Sequence, residues 1–355
     1  MSERDTKVVI LKSYSNGTPI TEANFVIETR KVPAISNGEM LLQLLELSPD
    51  PYMRGRMTGV DDFYLPQLPL NVVVSGFGVA RVLESKSPHF AAGQVVYGMI
   101  DWAEFSIWKG GDDSNLAAVV GGENQGENLG LTPVSTYAQP YARALDVIGI
   151  TGLTAYFAVT EFAKPMPHET VLISSAAGSV GSIAGQICKL RGARVIGIAG
   201  TDEKCRVLTE KLGFDGALNY KSKTLEADLK ALMPNGPNVY IDNVGGELSQ
   251  TVMFQMRWPA RVVEIGQIST YDDVGGGWRM NVRPIHDNCL QFFGYHPLIF
   301  VDYFPGALAQ LGYWMQTGKI IALDTVYNGI DNAPKAFVGL LRGENTGKMR
   351  VHLAD

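Results

Sequence analysis

The segment Val171–Leu190, VLISSAAGSVGSIAGQICKL, constrains the fold of this 355-residue chain more than any other stretch. It reads as a short buried strand, a tight turn and an amphipathic helix. Ala176-x-Gly178-x-x-Gly181 is a variant of the dinucleotide fingerprint, with alanine at the first glycine position. Gly178 lets the backbone approach a pyrophosphate. Gly181, with Gly185 beyond it, lets the helix lie close to the strand. The free N–H groups and positive end of that helix then face the phosphates. Val180, Ile183, Ala184, Ile187 and Cys188 share one helical face, as a helix covering a sheet requires. A glycine fingerprint gains weight only between a strand and a helix, which is its context here. An ordinary strand–helix turn with no ligand is the plain alternative.

The next apolar run selects between dinucleotides. Arg194–Ala199 (RVIGIA) predicts a second strand, followed by Gly200. An NAD site usually carries an acid at that tip to hold the ribose 2′-OH. A carboxylate there would repel a 2′-phosphate, and a glycine does not. Lys204, in the first turn of the following helix, can meet that phosphate as a point charge. Asp202 and Glu203 complement the helix N-terminus. A solvated helix lysine is the alternative for Lys204.

The remaining signals are largely exclusions. A net charge of −6 leaves no electrostatic footprint for nucleic acid or an anionic membrane. The N-terminus, MSERDTKVVI, lacks the apolar core of a signal peptide, and the uncharged run Val171–Cys188 is interrupted by Ser, Gly and Gln. A cytoplasmic protein is expected. Cys188, Cys205 and Cys289 form no Cys-x-x-Cys pair, and His89, His168, His286, His296 and His352 are scattered. Neither a disulfide framework nor a metal site is expected.

Periodicity divides the chain. Short alternating runs such as Val8–Leu11, Met40–Leu47, Asn71–Leu83 and Gln94–Gly98 predict a mostly β, barrel-like domain. The polar stretch Gly110–Gly130 reads as a surface loop. From about Tyr141 strands alternate with helices: Thr170–Ser175, Arg194–Ala199, Gly216–Tyr220, Val239–Asn243, Arg261–Ile265 and Leu290–Gly294. That alternation predicts a parallel, doubly wound sheet. The expected domains are 1–138, 139–317 and a return of 318–355 to the first.

Several motifs now carry a resemblance. They are Leu47–Met57 (LSPDPYMRGRM), Gly76–Ser85 (GFGVARVLES), Thr151–Ala158 (TGLTAYFA), the run Ala176–Tyr220, Val239–Gly246 (VYIDNVGG), Arg261–Tyr271 (RVVEIGQISTY) and Gly343–Lys348 (GENTGK). Their order resembles the zinc-independent medium-chain dehydrogenase/reductase superfamily, nearest the group of prostaglandin reductases, 2-alkenal reductases and curcumin reductases. The resemblance implies an α/β fold: a GroES-like, partly open β-barrel domain plus a Rossmann domain with a doubly wound parallel sheet. It implies NADPH as cofactor, hydride transfer to the β-carbon of a small apolar enone or enal, and a homodimer.

Site roles follow from the same resemblance. Lys204 and Tyr220 match residues that hold the 2′-phosphate, and Ala177, Gly178, Ser179 and Val180 match the turn under the pyrophosphate. Asn243 matches a residue near the cofactor. Gly266, Ile268, Ser269 and Tyr271 belong to the loop beside the nicotinamide half. Phe293, Gly294 and Tyr295 match a segment whose backbone meets the carboxamide, and Asn345 matches a cofactor-contacting Asn. Strand-end turn residues are the alternative for Tyr220 and Asn243.

Reduction of an enone places negative charge on the carbonyl oxygen and then needs a proton at the α-carbon. Tyr52 is the first candidate hydroxyl, against a structural tyrosine under the barrel. Many relatives carry a proposed proton-donating Tyr shortly before the segment matching Phe293–Tyr295; this chain has Ile285 and His286 there. His286 is the second candidate acid, and water or a ribose hydroxyl the remaining source. Arg54 and Arg56 could meet a substrate carboxylate, or be paired or solvent-facing. Tyr52, Phe63, Tyr64, Trp102, Trp108, Trp278, Phe292 and Tyr295 suggest apolar pocket walls, with core packing as the alternative. A quinone reductase and a non-catalytic NADPH-binding protein remain open.

Overall fold

Where apolar residues alternate or run unbroken between turn residues, strands form. Among the described residues the first seven are β1 (Arg4–Leu11), β2 (Phe25–Val32), β3 (Met40–Leu47), β4 (Ser75–Ser85), β5 (Val95–Asp101), β6 (Phe105–Trp108) and β7 (Leu131–Pro133). The next six are β8 (Thr170–Ile173), β9 (Arg194–Ala199), β10 (Gly216–Asn219), β11 (Val239–Asp242), β12 (Ala260–Glu264) and β13 (Leu290–Gly294), and β14 (Asp324–Asn328) and β15 (Lys348–His352) lie near the C-terminus. The computed structural model describes residues 4–60, 65–109, 131–272 and 279–355. The expected loop Gly110–Gly130 and the aromatic residues Phe63, Tyr64 and Trp278 lie outside them.

The chain divides into two units. The first holds 1–145, 325–344 and 349–355. Its main sheet runs β14-β15-β3-β4-β5-β7, with β6 also on β3, and β1 and β2 form a separate antiparallel pair. β3 is buried along almost its whole length, so its sequence, MLLQLLEL, is apolar nearly throughout instead of alternating. Trp102 is fully buried, stacked on Phe25 and edge-on to Phe337. It is therefore core, not a pocket wall.

The second unit holds 146–324 and 345–348. Its six strands are parallel in the order β10-β9-β8-β11-β12-β13. The order reverses between β8 and β11, and in such sheets ligands bind at that switch point, outside the strands' carboxyl ends. Ile183, Ala184, Ile187 and Cys188 of the Ser179–Leu190 helix are buried as the periodicity requires. Gln186 is buried too, because its amide accepts from Ile321 N at 2.7 Å and donates to Ile321 O at 3.0 Å. Gly347 N donates to Ala177 O at 2.7 Å. These bonds explain why 318–324 and 345–348 group with this unit, where the sequence suggested a full return from 318 to the first.

Among the described residues no helix is long and apolar enough to cross a membrane.

Candidate functional site

β8 ends at Ile173, and five residues turn the chain into the Ser179–Leu190 helix. Ser175 takes a left-handed conformation (φ 48°) and Ala176 N reaches across to Ile198 O at 2.9 Å, which folds the turn back over the sheet. Gly178 is the N-cap and carries no side-chain cap. The first amides of the helix therefore have neither an intrahelical carbonyl nor a capping side chain, which is the arrangement an anion completes. Gly181 allows the close approach: a Cβ there would lie 2.5 Å from Ser175 O and 2.8 Å from Ala176 Cα. Ser179 Oγ donates to Thr151 Oγ1 at 3.1 Å. Asn345 is buried and spends its amide on Gly347 O (2.7 Å), so its side chain supports the strip that pairs with Ala177.

The adjacent corner gathers positive charge. The Asp202–Arg206 helix starts at Thr201, whose hydroxyl accepts from Lys204 N at 3.2 Å. Tyr220 N donates to Ala199 O at 3.0 Å, placing the half-exposed Tyr220 ring against Gly200. A Cβ at Gly200 would meet the ring at 3.1 Å, so the strand-tip glycine makes room as well as avoiding negative charge. Lys221 Nζ stands 5.7 Å from the Tyr220 ring centroid. Burial and the like charge of Lys221 both lower the Lys204 pKa. Two repelling ammonium groups beside a half-exposed tyrosine suit a doubly charged phosphate. The sequence reading passed over Lys221; only its adjacency to Tyr220 pointed to it.

At the switch point the buried Asp242 organises the turn of the DNVGG motif. It accepts from Ser174 Oγ (2.8 Å), Tyr240 OH (2.9 Å), Val244 N (2.9 Å), Gly245 N (3.2 Å) and the Ser249 hydroxyl. Asn243 donates through Nδ2 to Ser174 O at 2.8 Å, locking two strand ends together. The next loop packs on this turn, since Ser269 donates to Val244 O through N (3.0 Å) and Oγ (2.7 Å). Tyr271 brings its hydroxyl against Gly266, and burial raises its pKa.

Other expected residues fall elsewhere. Tyr295 is half-buried, its hydroxyl donates to Thr154 O, and its ring packs on Phe162 at 4.8 Å. Its side chain is structural, and only the backbone at Gly294 stays at a strand end. Phe293 packs on Phe162 at 5.7 Å, and Phe292 on the apolar core of the sheet. His286 does not reach the strand ends. It sits on the Arg283–Asp287 helix, its side chain 95% exposed beside Asp287. That helix leads into the N-terminal end of β13, opposite the face where a parallel sheet binds its ligand. The sequence spacing from Phe293 hid this because a strand of that length spans about 16 Å.

In the first unit, Tyr52 is half-buried, edge-on to Phe77, with its hydroxyl 3.7 Å from Met99 Sδ. Trp108 packs edge-on to Phe90. Arg54 donates to Thr18 O at 3.0 Å and Arg56 to Pro66 O at 2.9 Å, so both guanidinium groups serve the backbone. No group of three or more His, Cys, Asp or Glu side chains able to hold a metal occurs among the described residues.

A switch-point sheet with an uncapped helix at its first turn defines the class of dinucleotide-binding folds used by two-domain oxidoreductases. Comparison with known proteins makes this specific. A family model described as the N-terminal domain of oxidoreductase matches residues 7–116, and one described as zinc-binding dehydrogenase matches 179–308. Mouse (Mus musculus) prostaglandin reductase 1 is 38% identical, over 96% of this chain and 97% of its own length. The NADP(+)-dependent 2-alkenal reductase of Nicotiana tabacum is 33% identical, with 98% of each chain covered. The crystal structure of CurA from Vibrio vulnificus in complex with NADPH superposes with a TM-score of 0.87 at 30% identity, covering 98% of this chain and 99% of CurA. The chain belongs to the medium-chain dehydrogenase/reductase superfamily, in the group of prostaglandin reductase 1, the alkenal reductases and the curcumin reductases. Its fold is α/β, with a GroES-like N-terminal domain and a six-stranded parallel Rossmann-type sheet.

Proposed function

We propose that this protein is an NADPH-dependent reductase of the carbon–carbon double bond in α,β-unsaturated ketones and aldehydes. The observation that carries the reading is the corner of Gly200, Lys204, Tyr220 and Lys221, set in a chain similar along its whole length to alkenal reductases. The residues fit the cofactor. The uncapped amides from Ser179 onward take the pyrophosphate, Lys204 and Tyr220 take the 2′-phosphate, and the loops after β11 and β12 take the nicotinamide half. When bound, NADPH supplies the hydride delivered to the substrate β-carbon. The protein must then stabilise charge on the carbonyl oxygen and see a proton reach the α-carbon. Oxidation of NADPH with a panel of enones, enals and quinones tests the reading. Turnover of enones and enals supports it; turnover of quinones alone makes the protein a quinone reductase, and tight NADPH binding with no turnover makes it a binding module.

Two hydroxyls compete for the role of donor to the substrate oxygen. Tyr52 places its hydroxyl 3.7 Å from Met99 Sδ, a weak acceptor, whereas Tyr271 lies against Gly266 and is kept protonated by burial. Tyr52→Phe is expected to lower kcat and kcat/KM together by roughly tenfold, because such a bond strengthens only in the transition state. Tyr271→Phe is the paired measurement. A kcat loss confined to that variant moves the role to Tyr271, and a change in KM alone makes Tyr52 part of the pocket shape.

The homodimer reading finds support in β13, which ends the order of the parallel sheet and so presents an open edge to a second copy. Light scattering at micromolar concentration is expected to give twice the 38.6 kDa chain mass, and a monomer refutes the pairing.

A further inference from the structure

Glu264 ends β12 directly opposite Asp242, the last residue of β11, in parallel register. Asp242 already accepts from three hydroxyls and two backbone amides, so its oxygens are occupied as acceptors and a proton shared by the pair is better carried by Glu264. The Glu264 carboxyl lies beside Asp242 and Gln267, and its Oε1 is buried with no hydrogen-bond partner among the described residues. Two carboxylates side by side and largely shielded from water repel, whereas one proton between them makes a charge-assisted hydrogen bond. Burial and Asp242 push the Glu264 pKa up to about 9. The strands that the pair joins lead into loops that are themselves tied. Ser269 donates twice to Val244 O, and Asp242 O accepts from Ile265 N at 2.8 Å and Gly266 N at 3.4 Å.

We propose that Glu264 is a positioning residue of the dinucleotide site: its neutral carboxyl donates to Asp242, and this bond holds the loops 243–246 and 266–271 in the arrangement that receives the nicotinamide half. The inference rests on the dinucleotide reading above. Loss of the proton leaves two adjacent carboxylates, which part the strand ends and loosen both loops. The groups facing Glu264 are Asp242 from β11, with Tyr240 behind it, and Gln267 and Tyr271 from the following loop. β13 presents only Gly294 at the matching register. Tyr271, raised by burial and by Glu264, stays protonated while Glu264 titrates.

The test is the dissociation constant of NADPH and of NADH, read by nicotinamide fluorescence between about pH 7 and about pH 10, for the wild type and Glu264→Gln. Glutamine keeps the size and a donor but has no charge to acquire. NADH lacks the 2′-phosphate, so its binding is insensitive to titration of Lys204. For both dinucleotides the wild type is expected to lose about tenfold more affinity over this range than the variant. Equal pH dependence in the two proteins overturns the proposal. If the variant does not fold, the infrared carbonyl band of a protonated carboxyl, present in the wild type near neutral pH and lost above about pH 9, replaces it. Absence of that band near neutral pH overturns the proposal as well. Failure of the wild type to bind either dinucleotide at about pH 7 refutes the dinucleotide reading itself, and this inference with it.

Discussion

Replacing Lys204 by alanine is expected to weaken NADPH binding roughly ten- to a hundredfold and to leave NADH within about twofold. A hydrogen bond to a charged group is worth about 1.5–3 kcal/mol, and each 1.4 kcal/mol is about tenfold in affinity. The selectivity arises because only NADPH carries a phosphate for the Lys204 ammonium. Lys221→Ala is expected to act in the same direction and more weakly, since Lys221 stands over the Tyr220 ring and its loss relieves the repulsion on Lys204. The pH dependence has a definite sign. The lowered pKa of Lys204 means that its charge disappears at a lower pH than that of an ordinary lysine, so the preference for NADPH narrows as the solution becomes alkaline. Titration calorimetry with both cofactors measures all of this, and an equal loss for NADPH and NADH assigns Lys204 to the structure of its helix.

Gly181→Ala is expected to damage the pyrophosphate turn far beyond what one methyl group usually does. In an open helix the change gains about 1 kcal/mol, because alanine loses less backbone entropy than glycine. At Gly181 the new Cβ lies 2.5 Å from a carbonyl oxygen and 2.8 Å from a Cα, both backbone atoms that no rotamer can move. Overpacking of this kind costs about 1–3 kcal/mol, and here it lifts the helix from the turn that meets the pyrophosphate. A displacement of about 1 Å at such a point costs roughly a hundredfold in kcat/KM. Gly306 supplies the control: it is exposed in the Phe304–Gln316 helix with nothing within 4 Å of an added Cβ. Gly306→Ala is expected to raise the melting temperature slightly, whereas Gly181→Ala lowers it by several degrees. A Gly181→Ala enzyme with unchanged stability and kcat/KM contradicts the close approach.

The strands of the parallel sheet were legible because each is short, buried and bounded by turn residues. Expected strands at Arg194–Ala199 and Leu290–Gly294 match β9 and β13 residue for residue. β2 escaped notice because FVIETRKV is buried only at Phe25; its polar second half carries no alternation to read. Gln186 is a polar residue that local pattern gives no reason to bury, and a distant backbone segment buries it.

The fingerprint, the glycine at the tip of β9 and Lys204 depend on spacings within one strand–turn–helix unit, and so the sequence alone determined them. Local geometry is enough to bring those atoms together. What joins separate strands was decided only by the tertiary structure. His286 precedes Phe293 closely in the chain, yet the length of β13 carries it to the opposite end of the sheet. Lys221 acquires its meaning from parallel pairing of β10 with β9, which sets Tyr220 over Gly200. Glu264 and Asp242 lie in different strands with a helix between them, and only the register of β11 against β12 makes two unremarkable acids one adjacent pair. Such pairings are set by the packing of the whole sheet, where the energy of a contact depends on a partner the local sequence does not name.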